Sequence, residues 1–372
     1  MEFDHRGNDH FLNPEVTMKK LFPYRFMLMV VLIFSSATLF AQQDKEPKLE
    51  ALKSSFQKDY LSVGMLLQTV GDFQLERSFS GKSGFSIANM RLKIYGNLDK
   101  QFSYFLQANF IRTRPFLDAR MSYHRSPSFT LDLGLFKSPF SKELLTGADA
   151  IDFVNRSQVV TYLAPGRDIG AQARGSLQNG FMAYRVGIFN GNGISVFGNE
   201  NNNFLYAARL AFFPEVTVQG KPSDLEIGIN FASSRDSFLP IPGYTGNAHL
   251  DGERFLFGVD FRWQNEKYLL AGEYIRASLD SVVGIPQNPS PLNLAPSGFH
   301  LTGGYMLTDI SQVLFRIDQF DNDLNDGTTT LLIFGYNLWP TGATEFQVNY
   351  IINTDDSGLK RHQLLINAQI GF

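Results

Sequence analysis

The carboxyl-terminal segment 361–372 constrains the fold most, because its side chains alternate between apolar and polar almost without a break. Successive residues of an extended strand point to opposite faces of a sheet, so one face carries His362, Leu364, Ile366, Ala368, Ile370 and Phe372. The other face carries Arg361, Gln363, Asn367, Gln369 and Gly371, and only Leu365 departs from the pattern. About ten residues of this kind are what a tilted strand needs to cross an outer membrane, although a strand of a soluble β-sandwich could look the same.

The same alternation recurs along the chain and predicts a closed barrel. In segment 252–264, for example, Phe255 and Val259 share one face while Asp260 and Arg262 share the other. We predict sixteen strands, over residues 60–70, 84–97, 101–113, 115–125, 128–137, 168–178, 181–190, 204–213, 223–235, 252–264, 267–277, 298–307, 310–320, 328–339, 343–353 and 361–372. Segment 328–339 is apolar on both faces and is expected to pack against a neighbouring subunit or an inserted loop. The predicted fold is all-β: a transmembrane antiparallel β-barrel of about 16 strands, with a lumen too wide for side chains to fill.

Composition supports this fold class. The chain has 372 residues, no cysteine and 35 phenylalanines, and the aromatic excess suits the outer girdles of a barrel in lipid. The absence of long apolar runs after the amino-terminal segment argues against a helical membrane protein. A net charge of −3 argues against nucleic acid as a partner.

The amino-terminal residues are predicted to direct export. A basic stretch from Met18 to Arg25 precedes an apolar run from Phe26 to Phe40, and cleavage is expected after Ala41. The apolar run is short for a membrane span, and a retained anchor is the alternative. The domain organisation is thus predicted as an upstream extension at 1–17 with translation starting at Met18, a signal peptide at 18–41, a periplasmic lead-in at 42–58 and the barrel at 59–372.

The connections alternate between short and long, which predicts the orientation of the barrel. Turns such as Gln178–Gly180 and Leu307–Asp309 are assigned to the periplasmic side, and longer segments such as 191–203, 236–251 and 279–297 are assigned to external loops. Two connections depart from this scheme, because 112–115 is short for a loop and 213–223 is long for a turn. The longest interruption, 138–168, is expected to fold into the lumen as the third loop, since about thirty residues without strand pattern need a function in a compact barrel.

Residues in and before this interruption resemble the phosphate-selective porin O and P family. The resemblance rests on Phe136-Lys137-Ser138-Pro139-Phe140-Ser141 with Glu143, on Asp152-Phe153, on Asn155-Arg156-Ser157, on Ala164-Pro165-Gly166-Arg167-Asp168-Ile169-Gly170, and on the strand Ala88–Gly96. It implies a sixteen-stranded outer-membrane porin, usually trimeric, whose third loop narrows the channel. The sequence departs from the family at Ala88 and Asn89, where phosphate-selective members carry an arginine pair.

Eight cations are the candidate anion contacts of the constriction: Arg91, Lys93, Arg120, Lys137, Lys142, Arg156, Arg167 and Arg174. Fixed positive charge in a narrow, partly dehydrated channel acts strongly on anions, and guanidinium groups match the geometry of phosphate. Inward-facing acids such as Asp118, Asp132, Asp260 and Asp318 make the lumen mixed in charge. Each arginine could therefore belong instead to a salt-bridged ladder that holds the barrel wall.

The predicted function is a water-filled channel for passive diffusion of small hydrophilic solutes, with a preference for anions such as phosphate. The alternatives are a non-selective general diffusion porin and a structural or adhesin barrel. The expected location is the outer membrane of a Gram-negative cell, and the expected partners are its lipid, the barrel assembly machinery, which would read the terminal Phe372, and further copies of the chain in a homotrimer. No catalytic constellation, cofactor motif or paired histidine spacing for a metal is present in the sequence, so neither an enzyme nor a metal site is predicted.

Overall fold

The computed structural model describes residues 57–74, 83–194, 196–218, 220–244, 246–286, 288, 290–324, 327–356 and 358–372. Over this part the chain forms the predicted closed antiparallel barrel of 16 strands. The wall strands are β1 (Leu61–Gln74), β2 (Gly84–Asn97), β3 (Phe102–Asn109), β4 (Phe116–Ser126), β5 (Phe129–Lys137), β6 (Arg167–Leu177), β7 (Met182–Phe189), β8 (Leu205–Phe212), β9 (Lys221–Arg235), β10 (Glu253–Gln264), β11 (Tyr268–Val283), β12 (Ser297–Thr308), β13 (Ser311–Asp321), β14 (Thr328–Thr341), β15 (Thr344–Asn353) and β16 (His362–Gly371). The predicted signal peptide and nearly all of the predicted lead-in lie outside the described residues.

The barrel closes between its first and last strands. β1 pairs with β16 in a register that runs from Leu66 opposite Gly371 to Gln74 opposite Gln363. Phe372 extends this seam, because its backbone N–H donates to the carbonyl of Met65 at 3.1 Å and its carbonyl accepts from the Met65 N–H at 3.0 Å. The terminal residue is thus part of the closing ladder, which leaves no free strand edge at the seam.

The faces of the strands follow the predicted alternation. Phe255 and Val259 of β10 are exposed on the outside of the barrel, whereas Asp260, on the inward face of the same strand, is only 4% exposed. In β13, Val313 and Phe315 face outward while Arg316 is buried inside. An apolar outer surface and a polar interior are the arrangement of a barrel in lipid.

Connections at one end of the barrel, here called the turn end, are mostly two to four residues long, and those at the other end, the loop end, are longer. Three predicted strand ends were wrong by more than two residues. β1 ends at Gln74 rather than 70, and β3 ends at Asn109 rather than 113. β11 continues past 277 to Val283, where it pairs with a short strand at Leu292–Leu294, so the loop predicted at 279–297 is shorter. The long turn after β8 forms its own small hairpin, because Val216–Val218 pairs with the start of β9.

Helical structure is sparse in the described residues. It consists of α1 (Lys142–Leu145), α2 (Gln158–Leu163) and two 3-10 turns at Gln178–Gly180 and Gly358–Arg361. No helix in this part of the chain is long and apolar enough to cross a bilayer.

Candidate functional site

The inserted loop, residues 138–166, leaves β5 at Lys137, contains both α-helices and returns to the wall at Arg167. The short α1 begins at a capped end, where the hydroxyl of Ser141 accepts a hydrogen bond from the N–H of Leu144 at 2.9 Å. The loop contacts inward side chains of β1, β2 and β7 to β16, which confirms that it folds into the lumen.

A row of wall side chains holds the backbone of the middle of the loop. Gln68, Gln369, Gln347 and Asn337 donate from their amide nitrogens to the carbonyls of Ala148, Asp149, Ile151 and Asp152, at 3.1, 3.2, 3.1 and 2.8 Å respectively. The side-chain oxygen of Asn349 accepts from the N–H of Val154 at 2.8 Å. Amides satisfy the polar backbone of a loop that is enclosed by the barrel, and they add no charge to the lumen.

Apolar side chains of the loop occupy part of the lumen. Phe140, Val159, Val160 and Leu163 belong to a buried cluster with inward residues of β7 to β13, and Phe153 belongs to a second cluster with Ile333, Ile351 and Leu365. The two irregular features of the sequence are therefore explained by the inserted loop: the apolar inner face of β14, and Leu365 on the polar face of β16. Of the two partners expected for segment 328–339, the inserted loop is the one that contacts its inner face.

Three inward glycines give room for these apolar contacts. A Cβ atom built on Gly335 would lie 2.9 Å from the Phe153 ring, one on Gly298 would lie 3.2 Å from Val159, and one on Gly258 would lie 3.4 Å from Phe140. The first two distances are too close for an ordinary carbon contact. Glycine at these positions lets the loop lie close against the wall.

Glu143 ties the start of the loop to the wall by charge. One carboxylate oxygen accepts from Nη2 of Arg316 at 2.8 Å, and the other accepts from the N–H and the hydroxyl of Ser157 at 2.8 and 2.7 Å. Burial alone would raise the pKa of Glu143, but the positive charge of Arg316 and the two hydrogen bonds from Ser157 lower it to about 2. The carboxylate is therefore ionised and firmly bound at neutral pH.

Two of the eight predicted contact residues stabilise the loop backbone. Nζ of Lys137 donates to the carbonyls of Leu145 and Thr146 at 3.3 and 2.8 Å. Arg156 donates to the carbonyls of Glu143 and Thr146 at 3.0 and 2.7 Å. Carbonyl oxygens carry no net charge, so these contacts do not pair either side chain with a carboxylate.

Five other predicted contacts lie beside carboxylates. Arg174 forms a two-point contact with Asp132 at 2.7 and 3.2 Å, and Arg120 lies 3.9 Å from the same carboxylate. Three further ion pairs join Lys93 to Asp149 at 2.5 Å, Arg167 to Asp118 at 3.1 Å, and Lys142 to Glu226. Burial would raise the pKa of Asp149, but its hydrogen bond from Lys93 lowers it below the ordinary value. These pairs match the salt-bridged ladder that was the structural alternative for each cation.

Arg91 differs from the others, because no carboxylate among the described residues pairs with it. Its Nε donates to the side-chain oxygen of Asn89 at 2.8 Å. The charges of Arg112, Arg156 and Arg167 act on it, and Lys137 is in turn acted on by Arg91, Arg156 and Arg167. We call these five residues, Arg91, Arg112, Lys137, Arg156 and Arg167, the eyelet cluster. Asp118, Glu143 and Asp149 are the carboxylates that act on it from the neighbouring wall and loop, so five cations face three acids and the cluster carries a surplus of positive charge.

A row of three arginines extends this positive surface, and two of its members were not among the predicted contacts. Arg174 lies directly opposite Arg185 on the next strand, and Arg185 lies directly opposite Arg209. Arg209 is bound by Asp260 and by Glu226, whereas Arg185 has no carboxylate partner in the described part of the chain. Strand parity could have identified Arg185, because Tyr184 and Val186 beside it point to lipid.

The positions that depart from the family pattern also differ from each other. Ala88 is exposed, whereas Asn89 lies in an amide network in which it accepts from Nδ2 of Asn109 at 3.0 Å and donates to Gln68. Asn89 therefore links Arg91 to the amide that holds Ala148 of the inserted loop. No group of three or more histidine, aspartate or glutamate side chains within the described ranges is arranged to hold a metal ion.

Comparison with known proteins agrees with this geometry. Residues 67–238 match the model of the family described as phosphate-selective porin O and P, which confirms the resemblance seen in the motifs. The fold is similar to OmpT of Vibrio cholerae in its trimer form, which is 13% identical, with a TM-score of 0.58 over 84% of this chain and 99% of that one. It is also similar to the outer membrane channel DcaP of Acinetobacter baumannii, at 9% identity and a TM-score of 0.55 over 85% and 99% of the two chains.

A third similar structure, OprB of Pseudomonas putida at high pH, is 12% identical, with a TM-score of 0.56 over 87% of this chain and 97% of that one. At such identities the likeness concerns the barrel fold. No curated protein matches the sequence.

Proposed function

We propose that this chain, whose residues 67–238 match the model of the phosphate-selective porin O and P family, is an outer-membrane porin with a modest preference for anions. In this proposal small hydrophilic solutes diffuse passively through the water between the inserted loop and the open wall. Phosphate or a similar oxyanion is the leading solute, because arginine side chains can donate two parallel hydrogen bonds to such an ion.

The observation that carries the anion preference is the charge of the eyelet cluster. Five cations lie near one another at the inserted loop, and three carboxylates, on Asp118, Glu143 and Asp149, act on them. Charges in a narrow channel act over a lower effective dielectric than charges in bulk water. A local surplus can therefore outweigh the net charge of −3 of the whole chain.

A non-selective diffusion porin is the second candidate, and the ion pairs favour it. Lys93, Lys142, Arg167 and Arg174 are each engaged by a carboxylate. Arginine is also lacking at Ala88 and Asn89. The remaining selectivity depends on Arg91, Lys137 and Arg156, so we propose a modest preference rather than a high-affinity phosphate site.

Reversal potentials across a salt gradient in planar bilayers test the proposal. We expect the unmodified protein to favour anions and Arg91→Gln to lower its anion-to-cation permeability ratio roughly twofold to fivefold. Arg156→Gln retains an amide that can donate to the loop carbonyls, so it should lower the ratio without releasing the loop. Arg235→Gln is the matched control, because that arginine lies at the end of β9 with its side chain 68% exposed.

The control should leave the ratio unchanged. A channel that prefers cations would contradict the anion proposal, and so would an anion-to-cation permeability ratio that neither Arg91→Gln nor Arg156→Gln changes. Neither result would contradict the barrel fold. Adding phosphate to a chloride current separates the two candidates, since an oxyanion-preferring channel loses chloride current and a non-selective one does not.

Assembly follows from the same premise. We propose export by the amino-terminal signal, recognition of Phe372 by the barrel assembly machinery and a homotrimer in the outer membrane. The trimer form of OmpT supports the last point, and a monomer mass in mild detergent would contradict it. The seam between Phe372 and Met65 supports the second, and an unchanged outer-membrane yield after deletion of Phe372 would contradict that.

A further inference from the structure

A recess of about 900 Å³ lies in the lumen on the side of the inserted loop that faces the turn end. Its roof is formed by α1 and by loop residues 150–152, and its walls are the inward faces of β9 to β13. Residues 213–217 and 222–224 line its outer end, so the recess opens toward the short turns. Its volume lies in the range of small-molecule sites in proteins.

Three polar side chains at the deep end are buried and retain unpaired atoms. Glu273 lies directly opposite His300 on the neighbouring strand, and Arg316 lies opposite Thr302, two residues further along the same face. Their exposed fractions are 4%, 6% and 1%. Oε1 of Glu273, both ring nitrogens of His300 and Nη1 of Arg316 have no hydrogen-bond partner among the described residues.

These side chains are nevertheless held in place. Oε2 of Glu273 accepts from the hydroxyl of Ser141 at 3.0 Å, and Nε of Arg316 donates to the hydroxyl of Thr302 at 3.0 Å. Nε2 of His300 lies 4.0 Å from the Glu143 carboxylate, beyond hydrogen-bond distance. The deep end therefore presents a fixed acceptor, a fixed donor and an imidazole, and buried polar groups of this kind gain most when they find a partner.

The recess has the opposite charge to the eyelet cluster. Four of its carboxylates are bound by cations: Glu143 by Arg316, Asp152 by Arg262, Glu226 by Lys142 and Arg209, and Asp260 by Arg209. The other three, Glu215, Asp224 and Glu273, have no cationic partner within the described ranges. Glu215 and Asp224 are exposed at the outer end, and Glu273 is at the deep end.

We propose that this recess binds a small basic zwitterion, a solute with one carboxylate and two cationic groups, as in the basic amino acids. The carboxylate accepts from Nη1 of Arg316, and an ammonium group donates to Oε1 of Glu273 and to the acceptor nitrogen of His300. The second cation remains at the acidic outer end, near Glu215 and Asp224. Access is from the turn end, so the site does not depend on the anion preference of the eyelet cluster.

Titration calorimetry on the detergent-solubilised full barrel tests the proposal with L-arginine as the probe. We expect saturable binding at one site per chain, binding about tenfold weaker for 1,4-diaminobutane, which lacks the carboxylate, and none for L-glutamate or glucose. Glu273→Gln keeps the shape of the side chain and replaces one acceptor oxygen by an amide donor, so it should weaken arginine binding by about tenfold or more.

Asp224→Asn should weaken binding by roughly twofold to threefold, with the loss disappearing at high salt, because that carboxylate is exposed. Glu253→Gln, at the loop-end start of β10, is the control and should leave binding unchanged. If heat-modifiable migration shows that Glu273→Gln does not fold, the double variant Glu215→Gln/Asp224→Asn takes its place and must weaken binding. The proposal is overturned if arginine does not bind, if glutamate binds as tightly, or if the folded variants bind arginine as the unmodified protein does.

Discussion

The two sides of the barrel interior differ although both are built from strands with the same alternation. In the anchored sector, β9 to β16, several inward positions are apolar, such as Leu256, Ile275 and Ile333, and they are buried against the inserted loop. In the open sector, β2 to β6, the inward positions are mainly charged or amide side chains, such as Arg91 and Asp118. Where the loop replaces water as the neighbour, an inward apolar residue is stabilised by roughly 25 cal/mol per Å² buried. Where water remains, the wall stays polar.

The cations of the two sectors also differ in what they do: some hold the inserted loop, and others are available to attract anions. On the anchored side Arg316 is paired with Glu143 through Nη2, and on the open side Arg91 has no carboxylate partner among the described residues. Lys137 and Arg156 lie between these cases, since they bind uncharged loop carbonyls rather than a carboxylate. Holding the loop and attracting anions are therefore carried out by different groups, and substitutions can separate them.

The largest expected effect is on the anchored sector. Phe153→Ala removes a buried phenylalanine from the second cluster and should lower the free energy of unfolding by about 3 to 5 kcal/mol, because the lost aromatic ring leaves a cavity. The loop should also loosen, which single-channel recordings would show as larger and noisier conductance. Phe299→Leu on the lipid-facing surface is the control, and a similar loss for both variants would contradict the role assigned to the loop contact.

The second effect is a dependence on pH. The pKa of Glu143 in the folded protein is about 2, below the ordinary value of 4.5, so its contribution is complete above about pH 4.5 and is lost as the pH falls toward 2. The contribution is on the order of 3 kcal/mol. Conductance should therefore be steady from neutral pH to about 4.5 and become unstable below it. In Glu143→Gln the instability should be present at every pH; if that variant instead keeps the steady behaviour of the unmodified protein, Glu143 does not anchor the loop.

The smallest effect concerns the amide row. Gln347→Ala removes one hydrogen bond to the carbonyl of Ile151 and should lower the free energy of unfolding by about 1 kcal/mol, with no change in ion selectivity. Gln312→Ala, whose side chain makes no described hydrogen bond to the inserted loop, should be close to neutral. Chemical unfolding in detergent measures the free energy of unfolding of both variants, and equal losses would show that the amide row does not hold the loop.

The sequence alone determined the barrel and the position of its inserted loop. Side-chain alternation is a local property of an extended chain with a period of two residues, so each strand could be identified from its own residues. The interruption after Lys137 was visible as the place where that period stops. The boundaries that were wrong, at Gln74, Asn109 and Val283, are strand ends, where pairing with a neighbour rather than the local pattern decides how far the strand continues.

Only the tertiary structure decided which cations are paired with a carboxylate and which inward residues are shielded from water by the inserted loop. Lys93 and Asp149, or Arg316 and Glu143, lie far apart in the chain and meet because the loop crosses the lumen. Leu365 departs from the polar pattern of its face for the same reason, since its apolar partner Phe153 comes from that loop. Charge pairing and burial depend on distance in space, and a pattern that is local in sequence contains no information about a partner that the fold brings from elsewhere.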